Sequence, residues 1–174
     1  MDIAKDMKFK SYALISTFNK KNIISLCKIF NKIGIGIIST GSTANYIRNI
    51  GYECKTVSSF TKFKEILDGR VKTLHPKIYA SILFKRKNKK QNLSFSSLNF
   101  PKIDYVIVNL YPFQEIIKNT KNSQKCIDMI DIGGPALLRS AAKNFSSVTT
   151  ICDFDDYSDF IKNIKNNQGK TSIN

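Results

Sequence analysis

The stretch YALISTFNKKNIISLCKIFNKIGIGIIS, Tyr12–Ser39, places two short apolar runs, YALIS and IGIIS, on either side of a segment whose apolar residues recur at helical spacing. Runs of four to eight apolar residues rich in β-branched side chains read as buried strands, and IISLCKIFNKI reads as an amphipathic helix. Two strands joined through a helix must pair in parallel, because a tight turn can connect only antiparallel neighbours. The same alternation continues along the chain. A helix is expected to open at Thr43, a strand at YECKTV after Gly51, and further buried strands at DYVIVNL (Asp104–Leu110) and SVTTIC (Ser147–Cys152). The expected class is therefore α/β, with a mainly parallel sheet covered by helices on both faces.

The chain has 174 residues. That length suits a single domain and, on folding, buries about 68–70% of the chain's surface. No repeat or internal linker breaks it, and only the tail IKNNQGKTSIN reads as frayed. Apolar runs stay far below the roughly 18 residues of a membrane span. The charged start MDIAKDMKFK lacks the apolar core of a secretory signal, so a cytoplasmic protein is expected, with no membrane partner. Cys27, Cys54, Cys126 and Cys152 are widely spaced and His75 is the only histidine, a pattern that suits neither a zinc site nor a disulfide framework. All four cysteines are read as ordinary thiols and no metal is expected.

With 28 basic against 13 acidic residues, the net charge of +15 raises the question of a polyanion partner. The lysines are scattered among Asn and Ile, three residue types with AT-rich codons, and the one dense run, KRKNKK (Lys85–Lys90), reads as a solvated loop. Nucleic acid is accordingly not expected as a partner.

In a parallel sheet, ligands bind beyond the carboxyl ends of the strands, so chemistry is sought in the loops there. ISTFNKKN (Ile15–Asn22) and STGSTAN (Ser39–Asn45) each lead from a strand into a helix. Helix-start N–H groups with small hydroxyl side chains favour a phosphate, although a plain turn with Thr40 or Ser42 as N-cap fits STGST equally well. DGRVKTLHPKIYA (Asp68–Ala80) gathers Arg70, Lys72, His75 and Lys77 around Pro76. It is expected to be a loop, either a basic surface turn or one anchored inward by Val71 and Leu74, with His75 capping a turn. NLYPF (Asn109–Phe113) puts Tyr111 at a strand end, as a site hydroxyl or as a core plug with a wet tip. IDIGGPALLRSAAKN (Ile130–Asn144) sets Asp131, Gly133 and Gly134 before a helix, with Pro135, Arg139 and Lys143 on one face. A capped surface helix and a site fit that stretch about equally.

GRVKTLHP, NLYPF, IDIGG and RSAAKN, in this order and at these separations, resemble the IMP cyclohydrolase domain of the bifunctional purine-biosynthesis enzyme, whose second domain is an AICAR formyltransferase. The resemblance runs from about Tyr12 to about Tyr157. It implies a methylglyoxal-synthase-like, doubly wound sheet and the closure of 5-formamidoimidazole-4-carboxamide ribonucleotide to IMP without metal or organic cofactor. The implied catalytic group is Lys72, Tyr111, Asp131 and Lys143. Lys143 with Asp131 orients the carboxamide and moves its proton, and Lys72 with Tyr111 donates to the developing oxyanion. Ser16, Lys20, Thr40, Gly41, Ser42 and Thr43 are implied at the phosphate, and Arg70, Thr73, Asn109, Ile132, Gly133 and Gly134 at the base or ribose.

The resemblance also implies a formyltransferase domain or subunit as partner, absent from these 174 residues, so the chain is expected to be a C-terminally truncated cyclohydrolase domain. A homodimer is one arrangement left open. Phe18, Asn22, Ser42, Tyr79, Ser81 and Phe145 depart from the residues the resemblance implies, Phe18 standing for a serine near the phosphate and Phe145 for a histidine. Three functions are thus weighed: the cyclohydrolase, a nucleotide-binding module of the same fold without turnover, and a polyanion binder.

Overall fold

The computed structural model describes residues 9–167 and 169–171. The N-terminal residues 1–8, Gln168 and the last three residues, on which parts of the leader and tail readings fall, lie outside the described residues.

Five strands form one parallel sheet: β1 (Tyr12–Thr17), β2 (Gly36–Ser39), β3 (Lys55–Thr56), β4 (Ile103–Asn109) and β5 (Thr149–Ile151), in the spatial order β3-β2-β1-β4-β5. The order reverses at β1, the most deeply flanked strand, which pairs with β2 on one side and β4 on the other. Alternate residues of β1 serve opposite faces. Ala13 and Ile15 join Ile107, Leu26, Phe30 and Phe160 in one core, while Tyr12 and Leu14 join Val106, Ile78 and Leu137 in the other. This two-sided burial is why β1 and β4 read as nearly unbroken apolar runs rather than alternating ones.

The first core is capped by α1 (Ile23–Lys32), α2 (Gly41–Asn49) and α9 (Tyr157–Asn166), the second by α3 (Val57–Thr61), α4 (Pro76–Leu83) and α8 (Gly133–Lys143). In α1 the residues Ile23, Leu26, Cys27, Ile29 and Phe30 are buried on one stripe, as its spacing predicts. Burial pushes the Cys54 thiol up to about 11 and the Cys27 thiol up to about 12, the latter aided by the charge Cys54 would carry. All four cysteines are free.

Several boundaries differ from the sequence expectation. YECKTV contributes only the two-residue edge strand β3, because Cys54 turns into the core instead of the ladder. The helix expected at Thr43 begins at Gly41. Pro76 does not continue a loop but occupies the first turn of α4, where its missing N–H has no partner to lose, and His75 Nδ1 accepts from the Lys77 N–H at 3.1 Å as the cap.

The KRKNKK run is not simply solvated. Lys89 opens a further helix, α5 (Lys89–Ser97), and the Arg86 guanidinium turns inward. It donates to the carbonyls of Ser81, Ile82, Phe84 and Ile103 and pairs with Asp104 at 3.0 Å, tying the end of α4 to the start of β4. The tail is partly fastened as well, with Ile164 fully buried, Tyr105 donating to the Gly169 carbonyl, and the Thr149 and Thr171 hydroxyls 2.6 Å apart.

Between β4 and α8 the chain makes an excursion of two short helices, α6 (Phe113–Asn119) and α7 (Ser123–Asp128), neither of which has a buried residue. Among the described residues no helix is long and apolar enough to cross a membrane.

Candidate active site

The carboxyl ends of β1, β2 and β4 open into a cavity of about 620 Å³. Hydroxyl groups set its floor. Ser16 Oγ lies 3.3 Å from Thr40 Oγ1, the Ser39 hydroxyl donates to the Ile15 carbonyl at 2.5 Å, and the Thr43 hydroxyl donates to the Thr17 carbonyl at 2.9 Å. These bonds tie the carboxyl ends of β1 and β2 together and lock the start of α2 to β1.

Thr40 is extended and makes no side-chain cap to α2, and Gly41 sits at φ +40 with nothing within 4 Å of where a Cβ would stand. The first N–H groups of a helix have no intrahelical acceptor, so those of Gly41 and Ser42 are left for solvent or a ligand, with the positive end of the helix dipole behind them. The Thr43 N–H is already given to the Thr40 carbonyl. The cavity floor therefore combines the backbone N–H groups at the start of α2 with the hydroxyls of Ser16, Thr40 and Ser42.

The opposite wall is the start of α8. Asp131 Oδ1 accepts from the Gly134 N–H at 2.8 Å, which caps the helix and fixes the carboxylate. Both glycines are dictated by contact: a Cβ on Gly134 would collide with the Asp131 carboxylate and with Leu110, and one on Gly133 would stand 2.5 Å from Thr73 Oγ1. Thr73 is buried beneath them, so Thr73 and not Leu74 anchors the basic stretch. That stretch enters through a tight turn in which Leu67, Asp68 and Gly69 all adopt positive φ, closed by paired bonds between Ile66 and Val71. The turn presents Asp68, Arg70 and Lys72 to the cavity.

At the mouth, Tyr111 is 39% exposed and meets Phe18 edge-on, with ring centroids 5.2 Å apart. Arg70 spans to the excursion, pairing with Asp128 Oδ1 at 2.7 Å beside the Gln124 amide.

Most residues singled out from the sequence thus line one cavity: Lys72, Tyr111 and Asp131 with Ser16, Thr40, Gly41, Ser42, Thr43, Arg70, Thr73, Asn109, Ile132, Gly133 and Gly134. Two do not. Lys143 is the last residue of α8, ten residues beyond Gly133, hence about 15 Å along the axis at 1.5 Å per residue. It is exposed at the far end of the helix, because α8 starts at the cavity and runs back along the sheet. Phe145 stands at that same remote end, 69% exposed. Lys20 folds onto its own loop, its Nζ donating to the Phe18 carbonyl at 3.2 Å.

Asn109 lines the cavity but spends its amide on structure, accepting from the Asn19 N–H and donating to the Asn19 carbonyl, both at 2.9 Å. Asn22 takes the left-handed φ of 62 at the start of α1, a conformation asparagine tolerates, so that departure leaves the turn intact.

The cavity also recruits Thr17, Asp68, Asp128, Ile127 and Ile130, none of which stood out in the sequence. Thr17 could have been found as the last residue of β1; its Oγ1 is buried without a hydrogen-bond partner. The others sit on the turn and the excursion, whose placement follows from tertiary structure. The charged lining comprises Arg70 and Lys72 with Asp68, Asp128 and Asp131, so the chain's basic excess is not concentrated here.

A parallel α/β domain with a polar cavity at the carboxyl edge of its sheet is the class these features define. Residues 22–136 match the MGS-like domain, and the chain belongs to that family. The chain is 46% identical over 153 residues to the bifunctional purine biosynthesis protein PurH of Clostridium acetobutylicum, covering 88% of this chain and 31% of that protein. It is 48% identical over 145 residues to PurH of Fusobacterium nucleatum, covering 83% and 29%. The chain thus spans less than a third of the length of these relatives. The crystal structure of ForH is similar to it at a TM-score of 0.81 and 29% identity, over 92% of this chain and 81% of that one.

Proposed function

We propose that this domain is an IMP cyclohydrolase acting in purine biosynthesis, closing the ring of 5-formamidoimidazole-4-carboxamide ribonucleotide. The observation that carries the reading is the meeting of Lys72, Tyr111 and Asp131 in one cavity whose opposite wall holds the open N–H groups of Gly41 and Ser42. The name shared by the relatives supports the pathway.

In this reading the substrate phosphate rests on the start of α2 and the imidazole carboxamide lies toward α8. The carboxamide nitrogen is a poor nucleophile because its lone pair is delocalised. It needs its proton removed as the new C–N bond forms, and the formyl oxygen needs donors as it gains charge. Asp131, held in place by the Gly134 N–H on Oδ1, serves as the proton acceptor. Lys72 and Tyr111 donate to the formyl oxygen. The proton taken from the carboxamide nitrogen passes to that oxygen, and C–O cleavage with loss of the formamido N–H proton releases it as water as the ring C=N bond forms. Lys143 has no part, being a helix length away. A formyltransferase partner belongs to the same proposal.

Mixing the purified protein with the formamido ribonucleotide is expected to yield IMP, and Lys72→Ala or Asp131→Asn to slow it by about 10²–10⁴. The remote Lys143 and the engaged Asn109 amide favour a second reading, a purine-nucleotide-binding module without turnover. Tight IMP binding with no ring closure in a folded preparation would establish it in place of the enzyme.

A further inference from the structure

We infer that Phe18 is a specificity-determining residue whose ring, braced by Tyr111, forms an aromatic wall on which the purine or imidazole ring of a bound nucleotide lies. The inference rests on the nucleotide reading above.

Phe18 belongs to neither core cluster and is 49% exposed, yet it is not loose. The next residue, Asn19, is clasped to Asn109 by two hydrogen bonds of 2.9 Å, and the Phe18 carbonyl accepts from Lys20, so the backbone that carries the ring is fastened. The ring lies at the cavity mouth, where it meets Tyr111 at 5.2 Å and an interplanar angle of 61°. An edge-on pair engages only one face of one ring and leaves aromatic surface open to whatever fills the cavity.

A flat ligand laid on the Phe18 ring would remove its half-exposed apolar surface from water, a favourable contribution to binding. The backbone donors of Gly41 and Ser42 supply the anion seat elsewhere in the same cavity, so a ligand with a phosphate at one end and a flat π-system at the other satisfies both walls. Stacking of a base on an aromatic side chain is tolerant of base identity, so Phe18 selects for an aromatic ring over a bare sugar phosphate, not for one purine over another. By bracing Tyr111, Phe18 also holds the phenol that the cyclohydrolase reading uses.

Calorimetric titration of the intact chain with IMP and with ribose 5-phosphate tests this, using wild type, Phe18→Ser and Phe18→Leu with circular dichroism as the folding control. Wild type is expected to prefer IMP, and both variants to lose about tenfold in IMP affinity. Ribose 5-phosphate binding is expected to stay unchanged in both. Equal IMP affinity in wild type and Phe18→Ser would overturn the inference while leaving the cyclohydrolase reading intact. Parallel weakening of both ligands would overturn it too, assigning Phe18 to the shape of the phosphate loop. A Phe18→Leu variant that binds like wild type would replace stacking by mere bulk and overturn it. Wild type that binds neither ligand would sink both readings together.

Discussion

Two connections leave the carboxyl edge of the sheet in opposite ways. After β1 the chain enters α1, ten residues long with five buried against the first core. After β4 it enters the α6–α7 excursion, two helices of seven and six residues that bury nothing. Helices that short do not persist by propensity alone, so α1 is held by packing while the excursion leans on its ends and on the cavity it borders. One edge is scaffold; the other is free to answer to a ligand, and Ile127, Asp128 and Ile130 already face the site.

The contrast can be broken most directly from the scaffold side. Phe30, fully buried against Tyr105 and Phe160, is expected to cost about 3–5 kcal/mol as Phe30→Ala, read by chemical denaturation. A comparable change inside the excursion, where nothing is buried, would equalise the two regions and refute the distinction.

The scaffold should also respond to alkali. Cys54 has its folded pKa raised from 9.0 to about 11 by burial, so its contribution is complete below pH 9 and is lost as the pH rises through 11. The loss amounts to about 3 kcal/mol, visible as a falling Tm whose slope is reduced in Cys54→Ala, the raised Cys27 thiol keeping the rest of the fall.

Gly134→Ala, in the first turn of α8, forces the Asp131 carboxylate and Leu110 aside. It is expected to cost about 1–2 kcal/mol and to weaken nucleotide binding. Smallest is Arg70→Ala. The pair with Asp128 is exposed, its side chains 67% and 49% accessible, so the global stability change should stay below about 1 kcal/mol. Hydrogen exchange over the excursion should nevertheless quicken, and unchanged exchange there would show that the bridge does not steady it.

The scaffold was legible in the sequence because burial on both faces leaves unbroken β-branched runs, and because α1 carries its stripe at helical spacing. Elements defined by a single cap or partner were less legible. Pro76 suggested a loop because proline opens helices as readily as it ends them, and Arg86 looked solvated because only folding brings the carbonyls of α4 and β4 within its reach. Within the site, motif order assembled Lys72, Tyr111 and Asp131 correctly into one cavity. Helical spacing tells which face of α8 Lys143 occupies but not how far along the axis it lies, and the structure places it at the end of the helix away from the cavity.

The register of the central strands carries a consequence for synthesis. Ser16 pairs with Val108, and the Asn19–Asn109 clasp joins residues 90 apart, so β1 cannot complete its sheet until β4 has left the ribosome. At about 5–20 residues per second, β1 of the nascent chain waits several seconds with one edge unpaired. During that interval its flank is a template for any other extended chain nearby. Rapid translation through residues 17–109, or a chaperone that shields YALIS, would therefore raise the yield of folded protein without changing its final stability.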